Sequence, residues 1–199
     1  MNIAVLVSGS GTNLQAIIDA VKSGYIPAKI ALVVSDQRGA FALQRAQKAG
    51  IETLILDKKD FATREDFDKE ISKNLKKKGV GLVVLAGFMR LLSPAFIKEY
   101  RNRIVNVHPA LLPAFKGTRG IKDALEYGAK VTGVTVHFVD EELDNGPVIL
   151  QRAVEVKGDD TEEALLERVH AQEHKIYPEA IKLFVEGRLK VEGRKVSIK

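Results

Sequence analysis

The sequence contains no cysteine, which removes disulfides, thiolate metal sites and a cysteine nucleophile from consideration and suits a reducing compartment. It also lacks any long apolar run. Stretches such as Ile30 to Val34 and Leu82 to Ala86 fall far short of the roughly 20 residues that span a bilayer. Met1-Asn2-Ile3 leads straight into a strand-like segment, without a basic n-region or a cleavage site, so a soluble protein of the cytoplasm with no membrane partner is expected. No internal repeat, low-complexity tract or linker interrupts the chain. Nor is there a concentrated basic block: the net charge of +5 and pI of 9.3 arise from Lys and Arg spread along the sequence. That balance favours an anionic partner and fits a phosphorylated metabolite. Lys76-Lys77-Lys78 reads as a solvated helix end rather than a nucleic-acid patch, and no nucleic-acid partner is expected.

What is present is enough for one real core. At 199 residues with 45% hydrophobic content, a single domain over 1–199 is expected. Short β-branched runs alternate with longer amphipathic segments. Strands are predicted at Ile3 to Val7, Ile30 to Ser35, Thr53 to Leu56, Leu82 to Ala86 and Ile104 to Val107. Helices are predicted at Asn13 to Lys22, Ala40 to Lys48, Arg64 to Lys77 and Pro94 to Tyr100. Strands that are apolar throughout, separated by helices, imply a parallel sheet covered on both faces. The segment from His108 to Gly120 is long, irregular and rich in proline and glycine, which inside a compact domain signals function. Then come helix Ile121 to Tyr127, strand Val131 to Val139, an acidic turn Asp140 to Gly146 and strand Pro147 to Arg152. A long helix from Thr161 to Glu186 starts with Thr161 as N-cap and Glu162 and Glu163 in its first turn. Leu189 to Ile198 alternates around Glu192-Gly193, as a terminal hairpin does. The expected fold is therefore α/β: Rossmann-like, three-layer, with a mostly parallel sheet, helices on both faces, and a C-terminal long helix and hairpin.

Two places carry chemistry. Ser8-Gly9-Ser10-Gly11-Thr12-Asn13 joins the first strand to the first helix, where backbone N–H groups and the helix dipole converge on an anion. A plain tight turn capped by Asn13 is the structural alternative. Dinucleotide binding is the functional rival, with Asp36 near the right distance for a ribose hydroxyl. However, Leu14 stands where the third glycine of that fingerprint belongs, which favours a single phosphate. The second place is Asn106 and His108, which alternate at the carboxyl end of a strand and leave the sheet on the same side. A histidine there can move protons near neutral pH, and the neighbouring amide can donate to a developing oxyanion. If Asp144 in the acidic turn faces His108, its charge favours the imidazolium. His137 faces opposite to Val136 and Phe138 and is expected to support the catalytic groups. His170 and His174, four apart on one helix face, form at most an incomplete metal pair.

Five segments in order, Ser8-Gly-Ser-Gly-Thr-Asn13, Gly87-Phe-Met-Arg90, Asn106-Val-His-Pro-Ala-Leu-Leu-Pro113, Gly133-Val-Thr-Val-His137 and Asp144-Asn-Gly-Pro-Val148, resemble the phosphoribosylglycinamide formyltransferase family. The resemblance runs from Met1 to about Leu189. It implies direct transfer of the formyl group of 10-formyltetrahydrofolate, as co-substrate, to the amino group of glycinamide ribonucleotide, in purine biosynthesis and with no metal. Asn106, His108 and Asp144 are then the catalytic residues. Gly11, Thr12 and Asn13 hold the substrate phosphate and Glu173 its ribose. Arg64 and Arg90 lie near the glutamate tail of the folate, Met89, Leu91 and Leu92 line its site together with Asn106, and Asp140, Glu141 and Asp144 surround the pterin. On this reading the phosphate-binding half is about 1–100 and the catalytic half about 101–199, in a monomer or homodimer. Two departures stand out. Lys116 to Ile121 has no histidine where some members carry one or two, and His170 stands in place of an expected glutamine. A methionyl-tRNA formyltransferase normally carries a further C-terminal domain, and a formyltetrahydrofolate hydrolase an extra N-terminal one. A non-catalytic nucleotide-binding module remains the alternative from another class.

Overall fold

The computed structural model describes all residues, 1–199, and the chain divides into two compact units, Met1–Val105 and Asn106–Lys199. The main sheet has seven strands, mostly parallel, and helices pack around it in an α/β arrangement.

In the first unit β1 (Asn2–Val7) is central, paired in parallel with β2 (Lys29–Ser35) and with β4 (Val80–Leu85), while β3 (Thr53–Ile55) pairs in parallel with β2. Ile3 to Val7 are 0% exposed, which requires cover on both faces and explains why this strand is apolar at every position rather than at alternate ones. Helix α1 (Thr12–Lys22) buries Leu14, Ile17 and Ile18, one stripe at the i, i+3, i+4 spacing. Helix α2 (Phe41–Lys48) buries Ala42, Leu43 and Ala46 and packs on α1 and β2. Asp57 caps a single 3₁₀ turn, Lys58–Asp60, that the sequence reading did not anticipate. Helix α3 (Arg64–Lys77) begins at Thr63, whose hydroxyl accepts the Asp66 N–H at 3.1 Å, with Glu65 and Asp66 in the first turn. Helix α4 (Pro94–Glu99) is capped by Ser93, which accepts the Phe96 N–H, and has proline in its first turn.

Strand β5 (Ile104–His108) carries the chain into the second unit, where α5 (Gly120–Tyr127), β6 (Val131–Phe138) and β7 (Val148–Glu155) follow. β6 and β7 are antiparallel. β7 runs three residues beyond its expected end at Arg152 because the polar Gln151 and Arg152 are strand residues on an exposed stretch. Helix α6 (Glu162–Val185), capped by the Thr161 hydroxyl at the Ala164 N–H, packs on β6, β7 and α5. The terminal hairpin is β8 (Leu189–Glu192) with β9 (Lys195–Ile198). No helix is long and apolar enough to cross a membrane.

Candidate active site

Four polar side chains meet in the second unit at the end of β5. His108 is 3% exposed. Its Nε2 donates to the Phe115 carbonyl at 2.8 Å, and because a carbonyl only accepts, that nitrogen carries a proton. Its Nδ1 lies 3.4 Å from Asp144 Oδ2, so the expected approach of Asp144 to His108 is present. The same carboxylate oxygen accepts the Gly117 N–H at 2.8 Å, and Oδ1 lies 3.8 Å from His137 Nε2.

His137 is 2% exposed and fixes the Asn106 amide. Its Nδ1 donates to the Phe138 carbonyl at 2.7 Å, which leaves Nε2 as the acceptor in the neutral ring. Asn106 Nδ2 donates to that nitrogen at 3.3 Å. Burial is the main force lowering the His137 pKa, outweighing the Phe138 hydrogen bond and the Asp144 charge that oppose it. The two histidines therefore differ in kind. One is a proton-bearing donor paired with a carboxylate; the other is a neutral acceptor that orients an amide.

Local sequence explains why the turn from β6 to β7 brings Asp144 back to this place. The ladder shifts register between Val136 and His137, which pair with Leu150 and Val148 and skip Ile149; such a bulge re-aims neighbouring side chains. Asp144 has φ of 48°, a left-handed conformation that aspartate tolerates. At Gly146 a Cβ would run into the Phe138 carbonyl, so only glycine lets the turn close on the end of β6. The Asn145 carbonyl accepts from Arg194 at 2.6 Å and its side-chain oxygen from Lys116 at 3.0 Å. The irregular segment is anchored through Thr135, whose hydroxyl donates to the Ala110 carbonyl at 2.7 Å and accepts the Leu112 N–H at 3.0 Å.

The remaining residues named from the sequence take these places. In the first unit Gly11 has φ of 72° and precedes α1 as its N-cap without a side-chain hydrogen bond. Thr12 and Asn13 are the first helical residues, so Asn13 is not the cap that a plain-turn reading required. Ser8 Oγ accepts the Met89 N–H at 3.0 Å and the Ser8 N–H donates to the Gly87 carbonyl at 3.1 Å, tying the glycine loop to residues 87–89. Met89 and Leu91 are 68% and 61% exposed, whereas Leu92 is buried. The Arg90 guanidinium lies 4.1 Å from the Phe67 ring centroid and Arg64 is 3.7 Å from Glu65. In the second unit Asp140 accepts the Glu142 N–H and Glu141 is exposed. Glu173 is buried on α6, 3.9 Å from His170 Nε2. The rings of His170 and His174 stack at 6.1 Å, and no group of three or more His, Cys, Asp or Glu side chains is arranged to hold a metal ion.

Residues 1–181 match the family described as formyl transferase. The chain belongs to the formyl transferase family. It is 49% identical over 191 residues to the phosphoribosylglycinamide formyltransferase of Escherichia coli, covering 96% of this chain and 90% of that protein. It is also 49% identical to the trifunctional purine biosynthetic protein adenosine-3 of Drosophila melanogaster, but there 93% of the chain spans only 14% of the relative's length. Among solved structures, glycinamide ribonucleotide transformylase 1 from Symbiobacterium toebii superimposes with a TM-score of 0.98 at 51% identity, covering all of this chain and 93% of that one.

Within this formyl transferase, three groups were given no role from sequence: the Phe115 carbonyl at His108, the Gly117 N–H at Asp144, and the Thr135 hydroxyl that anchors residues 110–112. Two are backbone groups, which no residue type announces. Thr135 had a signal, a hydroxyl in a strand buried from Thr132 to Phe138, where a polar group must find partners.

Proposed function

We propose that this protein transfers the formyl group of 10-formyltetrahydrofolate to the amino group of glycinamide ribonucleotide, and that Asn106, His108 and Asp144 carry the reaction. The observation that supports this most directly is the pair of donors at the end of β5. The Asn106 amide is oriented by a neutral His137, and the protonated Nε2 of His108 is aimed at an oxygen. In the reaction the oxygen of the formyl group takes the place that the Phe115 carbonyl occupies here. The substrate amine attacks the formyl carbon, the C=O electron pair moves onto oxygen, and the two N–H groups stabilise the oxyanion. Collapse re-forms the C=O and breaks the bond to N10 of the folate. One proton leaves the attacking nitrogen and one reaches N10, with His108 as the relay and Asp144 as partner of its imidazolium. No covalent enzyme intermediate is needed.

Gly11, Thr12 and Asn13 bind the substrate phosphate through the N-terminus of α1, and Glu173 binds its ribose. Met89, Leu91 and Leu92 line the folate, Arg64 and Arg90 meet its glutamate tail, and Asp140, Glu141 and Asp144 lie by the pterin. We place this activity in the cytoplasm, in a monomer or homodimer acting on two small molecules. His108→Asn tests the assignment. The variant is expected to bind both substrates with near-parental affinity while losing at least about 100-fold in turnover, the low end of what a positioned acid–base group contributes. Turnover within about threefold of the parent, a smaller change than general acid–base catalysis supplies, would remove His108 from the mechanism.

A further inference from the structure

Three consecutive carbonyls of the glycine loop are engaged. Gly9 accepts the Ala42 N–H at 3.1 Å, Ser10 accepts from Arg45 Nε at 2.9 Å, and Gly11 accepts the Gln15 N–H at 2.9 Å. In a planar trans peptide the carbonyl of one residue and the N–H of the next point in opposite directions. Holding the Gly9 and Ser10 carbonyls towards α2 therefore turns the N–H groups of Ser10 and Gly11 away from it. Holding the Gly11 carbonyl inside α1 turns the Thr12 N–H outward from the helix start. The first and third of these constraints come from backbone donors. The second, on the Ser10–Gly11 peptide, comes from one side chain.

Arg45 is itself braced for this task. Its NH1 donates to Gln15 Oε1 at 3.3 Å, and its guanidinium carbon lies 4.9 Å from the Phe41 ring centroid. Gln15 donates in turn to Asp19 at 2.9 Å. Gly11 packs so closely on α2 that a Cβ there would sit 2.6 Å from the Ala42 Cβ, which leaves no room for the loop to slide. Rotation of the Ser10–Gly11 peptide is the freedom that remains, because the glycine at φ of 72° accepts either orientation.

We infer that Arg45 is a positioning residue for substrate phosphate: it does not touch the anion but holds the Ser10–Gly11 peptide so that the Gly11 N–H faces it. The inference rests on the reading that Gly11 to Asn13 bind that phosphate. Two variants separate geometry from charge. Glutamine places its Nε2 at the same chain position as the arginine Nε, keeping the donor without the charge, whereas methionine removes both.

With Arg45→Met the KM for glycinamide ribonucleotide is expected to rise about tenfold, the scale of one lost hydrogen bond to a charged group, with kcat and the folate KM within about twofold. Arg45→Gln should stay within about threefold of the parent in every constant, since it retains that bond. Inorganic phosphate, followed through the ¹⁵N–¹H signals of Gly11 and Thr12, reports on the loop directly. The parent and the glutamine variant should show saturable shifts at both amides, and the methionine variant a shift at Thr12 alone. If the glutamine variant loses the Gly11 shift, charge rather than peptide orientation is at work and the inference is overturned. A methionine variant with the parental KM and Gly11 shift overturns it equally. If the parent shows no shift at either amide, the phosphate reading of the loop itself fails, which is a different result.

Discussion

Replacing His137 with leucine removes the acceptor that holds the Asn106 amide, at a position 2% exposed. The bond is 3.3 Å long, at the weak end for N–H donors. Its loss leaves a half-buried amide free to turn, at a cost of about 1–3 kcal/mol. If that amide must point at the oxyanion, the whole cost appears in the transition state, and kcat falls about 5- to 150-fold at 1.36 kcal/mol per decade. Both KM values should move little, because the reoriented group acts on charge that develops only during the reaction. The same variant has a stability signature. Burial lowers the folded-state pKa of His137 below the ordinary 6.5, so in acid the unfolded chain takes up a proton that the folded chain refuses. The stability tied to this group is complete above about pH 6.5 and is lost as the pH falls towards the lower folded value. Denaturant titrations between about pH 7.5 and 5.5 should therefore show a smaller loss of stability for His137→Leu than for the parent. Steady-state rates at saturating substrates supply the kcat. A kcat within twofold of the parent together with an unchanged pH slope would refute the reasoning.

Asp144→Asn keeps an acceptor for the Gly117 N–H but removes the charge beside His108. Turnover should drop at least about 100-fold with little change in thermal midpoint, and a drop below tenfold in single-turnover rates would contradict the ion-pair role. Gly133→Ala drives a Cβ into the Arg152 carbonyl of the paired strand and against Leu111 at 2.7 Å. Neither backbone can yield, so a loss of about 3 kcal/mol or more is expected in urea unfolding, and a loss under about 1 kcal/mol would show that the ladder relaxes. Asp68, 3% exposed and accepting the Ser93 N–H at 2.5 Å, has its carboxyl pKa raised chiefly by burial, against the Ser93 hydrogen bonds and the Arg64 and Arg90 charges. The unfolded carboxyl ionises first, so stability from this group is full below about pH 3.8 and is lost as the pH rises through the folded value. Asp68→Asn should hold or raise the thermal midpoint at neutral pH, with the difference shrinking near pH 4; a clear fall at neutral pH would reverse that sign.

Much of this fold could be read in advance because its elements carry strong local signals. The apolar run Ile3 to Val7 could only be a strand buried on both faces, and Thr161 with Glu162 and Glu163 marked the start of α6 to the residue. β7 was read too short because Gln151 and Arg152 look like the end of a strand when one side is wet. Asn106, His108 and Asp144 were legible as residue types at a strand end and in an acidic turn. Their meeting was not, because it depends on a register shift at Ile149, a left-handed Asp144 and a glycine that alone fits against Phe138. Arg45 was invisible for a related reason: it acts on the direction of a peptide plane, which residue identity does not encode.

The most direct test of the account is to mix the purified protein with 10-formyltetrahydrofolate and follow its deformylation with and without glycinamide ribonucleotide. The proposed transferase reading predicts rapid deformylation only when the nucleotide is present, with one formylated nucleotide formed for each folate consumed. Equal rates with and without the nucleotide would make water the acceptor and contradict the transferase reading. Absence of turnover in both would contradict catalysis at this site altogether.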